Sequence, residues 1–74
     1  MAEETLDTSG LRCPLPVLKA KKALKALAPG DTLRVVATDP SAVADFQNFC
    51  DATGDALLES ESGDGSYRFL IRKS

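Results

Sequence analysis

A cysteine and two prolines in four residues, Cys13-Pro14-Leu15-Pro16, stand directly ahead of a helical pattern that runs from Val17 to Leu27. Proline is tolerated in the first turn of a helix because the N–H groups there have no intrahelical partner. The spacing therefore predicts a sulfur at a helix N-terminus, where exposed amides and aligned peptide dipoles favour negative charge and lower a thiol pKa from its free value of ~8.5. That mild activation, by a dipole alone, is the main clue to function. Arg12 precedes the cysteine, the Ser9-Gly10 turn leads into it, and Pro14 biases Cys13 towards the extended backbone of an N-cap.

The register of that helix start has two solutions. Pro16 biases Leu15 away from the helical region, so the first helical residue is either Pro14, with Cys13 as cap, or Pro16, with Leu15 as cap. With Cys13 as cap, Pro16 offers no N–H, and the amide of Leu15 is the donor left for the sulfur. The opposing interpretation of Cys13 is a small buried hydrophobe whose prolines only shape the backbone.

Three other groups of side chains bear on function. Lys19, Lys21, Lys22 and Lys25 form either a solvated helix face or, with the apolar Leu18 among them, a docking patch for an acidic partner. Cys50 falls on the apolar side of a second helix, between aromatics, which predicts an inert buried thiol. Arginines on the last strand are expected to pair with Glu59 and Glu61 rather than to wait for phosphate.

Composition removes several classes of chemistry. The chain has 74 residues and no histidine, so it cannot build a Cys–His or Ser–His nucleophile pair, and two cysteines without histidine make no protein-only zinc site. A net charge of −2 lacks the broad basic footprint of an independent nucleic-acid binder. The acids Glu3 and Glu4 near the N-terminus are the opposite of a secretory signal, no apolar run reaches membrane-spanning length, and the expected location is the cytoplasm. There the two thiols stay reduced.

The elements that must position these groups follow from periodicity. Thr5 to Thr8 is a short strand candidate, and on the first helix Val17, Ala20, Ala23, Leu24 and Leu27 share one face while Leu18 and the lysines share the other. Pro29-Gly30 stops that helix, and Thr32 to Thr38 forms a strand. Asp39-Pro40 starts a second helix to about Thr53 with Ala42, Phe46, Phe49, Cys50 and Thr53 inward, Val43 at the margin and Gly54 beyond its end. Strands at about Ala56 to Ser62 and Ser66 to Arg72 flank the hairpin signal Gly63-Asp64-Gly65. The order βαβαββ in one domain over 1–74 implies a two-layer α/β (α+β) sandwich with both helices on one sheet face. Arg34, Val36, Arg68, Leu70 and Arg72 then lie on the open face with Glu59 and Glu61.

The run Leu6-Asp7-Thr8-Ser9-Gly10-Leu11-Arg12-Cys13-Pro14-Leu15-Pro16, with Asp39-Pro40, Phe49-Cys50 and the ending Tyr67 to Lys73, resembles the TusA (SirA-like) sulfur-carrier family over nearly the whole chain. The resemblance implies a four-stranded mixed sheet, like that of the C-terminal domain of bacterial translation initiation factor three, and a persulfide on Cys13 with no other cofactor. It further implies a cysteine desulfurase or rhodanese-type sulfur donor and a downstream acceptor protein of the DsrE/TusD type. Transfer would serve thiolation of the tRNA wobble uridine, molybdenum cofactor synthesis or dissimilatory sulfur oxidation. On this reading Cys13 acts stoichiometrically, as a persulfide sulfurtransferase or carrier. Gly10, Arg12, Pro14, Leu15 and Pro16 position and activate it, and Leu18 with Lys19, Lys21, Lys22 and Lys25 meets the partner. A monomer without stable nucleic-acid or membrane contacts suffices for this. A scaffolding module with an unreactive cysteine loop, and a redox protein forming mixed disulfides, are the competing classes.

Overall fold

A computed structural model describes residues 3–12 and 14–74. Cys13, on which the central expectation falls, lies outside the described residues. The elements are β1 (Glu3–Thr8), α1 (Leu15–Lys25), β2 (Thr32–Ala37), α2 (Ala42–Thr53), β3 (Ala56–Gly63) and β4 (Ser66–Arg72). They form the expected βαβαββ fold, with one four-stranded sheet in the order β1-β2-β4-β3. β1 and β2 pair in parallel, and β4 runs antiparallel to both β2 and β3.

The core lies between the sheet and the two helices. Leu33, Val35 and Ala37 of β2 and Phe69 and Ile71 of β4 are fully buried beneath Ala20 and Leu24 of α1 and Ala42, Phe46 and Cys50 of α2. The rings of Phe46 and Phe69 meet tilted at 31° with centroids 4.7 Å apart, within the range in which aromatic pairs attract. On α1 the expected stripe holds at Ala20, Leu24 and Leu27, with Val17 and Ala23 half-buried at its margins and Pro16 buried as well. On α2 the buried stripe is narrower than the expected one. Phe49 is half-buried against α1 and Thr53 is exposed, where its hydroxyl donates to the Phe49 carbonyl at 3.0 Å.

Helix and strand boundaries differ from the periodic pattern for local reasons. α1 ends at Lys25 rather than Leu27, because the N–H groups of Ala26 and Leu27 turn back to Ala23 and Leu24 in a tightened last turn. Pro29-Gly30 then occupies a separate turn, closed by Asp31 N–H on Ala28 O at 3.0 Å, with Gly30 at φ +93°. α2 begins at Ala42, not at Asp39-Pro40. The Asp39 carboxylate accepts the Ser41 N–H at 2.9 Å, so an Asx-turn takes the place of the helix cap. β1 starts two residues before Thr5, because parallel pairing of Glu3 with Thr32 and Glu4 with Leu33 outweighs the weak strand preference of glutamate.

The β3–β4 turn is a two-residue Asp64-Gly65 turn with φ of +50° and +79°, the primed type whose twist matches a hairpin. A bulge between Leu57 and Glu59 accompanies exposure of Leu58. On the open face Arg68 pairs with Glu61 at 3.5 Å, as expected, whereas Glu59 takes Arg34 of β2 at 3.6 Å rather than an arginine of the last strand.

One long-range contact completes the α1 C-terminus. Lys73 Nζ donates to Leu24 O at 2.8 Å, an oxygen that also accepts the Leu27 N–H, and to Leu27 O at 2.7 Å just past the helix, placing a cation at the negative end of the α1 dipole. Lys73→Met keeps the stem and removes both bonds. Urea unfolding should show a loss of about 1–3 kcal/mol, and an unchanged midpoint would contradict this role.

Candidate functional site around the β1–α1 loop

Because β1 and β2 are parallel, both strands leave the sheet at the same end, and the loop into α1 meets the segment that follows β2. The loop is held by a short series of bonds. Thr8, buried at the end of β1, donates its hydroxyl to Val36 O at 2.6 Å. The Asp7 carboxylate accepts the Ser9 N–H at 2.9 Å, and these Ser9 hydrogen bonds hold the Asp7 pKa below the usual aspartate value. Leu11 N–H returns to Thr8 O at 3.1 Å, closing a turn in which Gly10, at φ +81°, fills the third position that other residues adopt only under strain. Finally Gly10 N–H donates across the gap to Thr38 Oγ1 at 2.8 Å.

The helix start falls between the two registers the prolines allow. Leu15 is the first helical residue, Pro14 is the cap at φ −97°, and Pro16 sits inside the first turn. The Leu15 amide, the donor expected for the sulfur, instead reaches Arg12 O at 2.8 Å, a bond that fastens the residues flanking position 13. Leu18 N–H is likewise spent on Pro14 O at 3.1 Å. Since prolines carry no N–H, Val17 is the first-turn amide without a partner among the described residues. α1 has no acid in its first turn, so the positive end of its dipole is not neutralised from within the helix.

Two hollows adjoin this point. A cleft of about 270 Å³ is lined by Gly10, Leu11, Arg12, Thr38, Asp39 and Pro40. A second, of about 300 Å³, lies between the helices against Pro14, Val17 and Phe49, with Asp45 and Asn48 at its side. Of the residues singled out in the sequence, Gly10, Arg12, Pro14 and Leu15 converge here. Pro16 does not face solvent; it is buried and acts as a wedge under the helix start.

The proposed docking residues lie along the outer side of α1. Leu15 and Leu18, one turn apart, are 45% and 52% exposed, which makes a small apolar ridge. Lys19, Lys21, Lys22 and Lys25 are all exposed around it, and the two ion pairs found among the described residues lie elsewhere, on the open sheet face. Thr8 and Thr38 were not singled out in the sequence, although a threonine at each of two strand ends, with Asp39-Pro40 following one of them, is a visible signal of loop anchoring.

The chain matches the family model described as sulfurtransferase TusA over residues 4–73. It is 51% identical over 72 residues to the sulfur carrier protein TusA of Allochromatium vinosum, covering 97% of this chain and 95% of that one. The chain belongs to the TusA family. A solved SirA-like protein from Desulfitobacterium hafniense has the same fold, with a TM-score of 0.83 and 30% identity over 93% of this chain and 95% of that one. Membership in the TusA family makes this a sulfur-carrier domain with donor and acceptor partners in general.

The second cysteine of this TusA-family chain has the opposite character. Cys50 is 3% exposed, and burial, helped by the nearby Asp55 and Asp51 carboxylates, pushes its thiol up to about 11. The sign of the linkage is fixed: the folded chain holds this proton more tightly than the unfolded one. The associated stability is therefore present below the ordinary value of 9.0 and is lost as pH rises through about 11. In a Cys13→Ser background, Cys50 should resist iodoacetamide at pH ~8 until denaturant is added. Cys50→Ala should flatten the alkaline loss of stability. Labelling of the folded chain at the rate of an exposed thiol would contradict both.

Proposed function

We propose that this chain carries sulfane sulfur as a persulfide on Cys13 and relays it between two proteins. The Cys13 thiolate attacks the terminal sulfur of a donor persulfide. A new S–S bond forms on Cys13, the donor's S–S bond breaks, and the donor cysteine leaves as thiolate, so sulfur moves without net oxidation. An acceptor thiolate then repeats the step on the Cys13 persulfide. The donor is a cysteine desulfurase or rhodanese-type protein in the cytoplasm, and the acceptor is of the DsrE/TusD type, serving tRNA wobble-uridine thiolation, molybdenum cofactor synthesis or sulfur oxidation.

The observation that supports this reading is that α1 begins at Leu15, two positions after Cys13 in the sequence, with the Leu15 N–H fastened to Arg12 O and no acid in the helix. A thiolate stabilised by a dipole alone stays a good nucleophile and also a good leaving group, and a carrier needs both properties. On this reading Leu15 and Leu18 supply the apolar centre of the partner contact, while the four lysines of α1 steer an acidic surface towards it.

Incubation with a cysteine desulfurase and cysteine should add one sulfur to Cys13 by mass spectrometry, and Cys13→Ser should abolish relay. Glutathione adducts would favour redox chemistry instead, and an unmodified cysteine a scaffold. Alkylation of Cys13 should titrate below ~8.5; a midpoint at or above that value removes dipole activation. Replacing Lys21, Lys22 and Lys25 with Glu should slow exchange with the partner about tenfold at low salt while the circular dichroism spectrum is unchanged, and equal rates would remove the docking face.

A further inference from the structure

We infer that Thr38 is a positioning residue for Cys13: it fixes the direction in which the thiol-bearing loop faces an incoming persulfide. The inference rests on the carrier reading above. Three of the loop's fastenings are local. Ser9 to Asp7, Leu11 to Thr8 and Leu15 to Arg12 each close within a single turn, so they set the shape of the loop and not its placement on the molecule. The Gly10 N–H to Thr38 Oγ1 bond is different, because it spans 28 residues of chain and ends on the residue that follows β2.

Gly10 stands three residues ahead of Cys13 in the sequence and adopts the left-handed conformation at φ +81°, which glycine takes without strain. The other bonds join the stretch from Ser9 to Pro14 to its own flanking elements, β1 and α1, whereas this one joins it to the segment that follows β2. Without it, the local turns persist and the loop can swing about the end of β1. Thiol–disulfide exchange and persulfide transfer require the attacking sulfur to approach along the bond being broken, so a misdirected thiolate retains its acidity and loses rate. Thr38 also lines the cleft beside Arg12, which puts the tether on the surface a docked partner would cover.

The test is single-turnover transfer from a persulfidated cysteine desulfurase to the parent chain, Thr38→Val and Thr38→Ser. Valine removes the acceptor oxygen at nearly constant volume and serine restores it. Thr38→Val should lower the maximal rate about tenfold with the half-saturating concentration unchanged, and Thr38→Ser should return it to within about twofold of the parent. The pH midpoint of Cys13 alkylation should be the same in all three, because the helix terminus sets it. Equal maximal rates in Thr38→Val and the parent overturn the inference, as does a serine variant as slow as valine. A defect confined to the half-saturating concentration also overturns it, by making Thr38 a partner contact. If Thr38→Val does not fold, amide exchange in the parent decides: a protected Gly10 N–H supports the tether, and exchange at the rate of an unstructured peptide overturns it. A parent that takes up no sulfur overturns the carrier reading, and the same amide exchange then judges the tether separately.

Discussion

The parallel pairing of β1 with β2 is the constraint on which the rest of the molecule depends. Parallel neighbours cannot be joined by a tight turn, so the chain must cross over, and the right-handed crossover lays α1 on one face of the sheet. The same pairing sends both strands out at one end, with Thr8 opposite Ala37. Both helices consequently begin at that end, and the loop before α1 is brought against the segment before α2. The buried Thr8 hydroxyl on Val36 O and the Gly10 amide on Thr38 convert this proximity into a fixed relation. Neither bond exists without the register, and the register exists only because Leu33, Val35 and Ala37 must all face the helices.

A net charge of −2 conceals a division of charge between the two helices. α1 carries four lysines and no acid, whereas α2 carries Asp45 and Asp51 and no base. An array of like charges on one short helix is mildly self-repulsive and contributes nothing to its stability. What holds α1 is its apolar stripe beneath and Lys73 on its terminal carbonyls. The outer lysines are exposed and cluster around Leu15 and Leu18, the arrangement that the encounter surface proposed above requires.

Side-chain periodicity made the architecture legible in the sequence. A burial rule applied to 3.6- and 2-residue repeats suffices for the βαβαββ order, for the exposure of Leu18 among the lysines, and for the burial of Cys50 beside Phe46. It fails where a polar side chain chooses between partners that lie close in space and far apart in sequence. Asp39 looks like a helix cap until its carboxylate is seen closing a turn onto Ser41, and the Leu15 amide looks available to sulfur until Arg12 O takes it. Thr38 is an unremarked strand end in one dimension and an anchor in three. The helix was foreseeable, and the device that aims its N-terminal loop was not.

If sulfur is relayed on Cys13 as proposed, the setting of the second cysteine explains why it would stay on that thiol. Persulfide transfer proceeds through thiolates, so any second acidic thiol within reach would divert sulfur along the chain. Cys50 is denied that role three times over. It is buried on the sheet side of α2, it lies in the last turn of its helix, where carbonyls rather than amides are unpaired, and Asp51 and Asp55 add negative charge nearby. Cys13 precedes the opposite kind of helix end. The relay proposed above asks for no histidine, metal or general base: the direction of a helix would activate one sulfur, and the depth of Cys50 keeps the other protonated. On the proposed carrier reading, this TusA-family chain uses its second cysteine only as core.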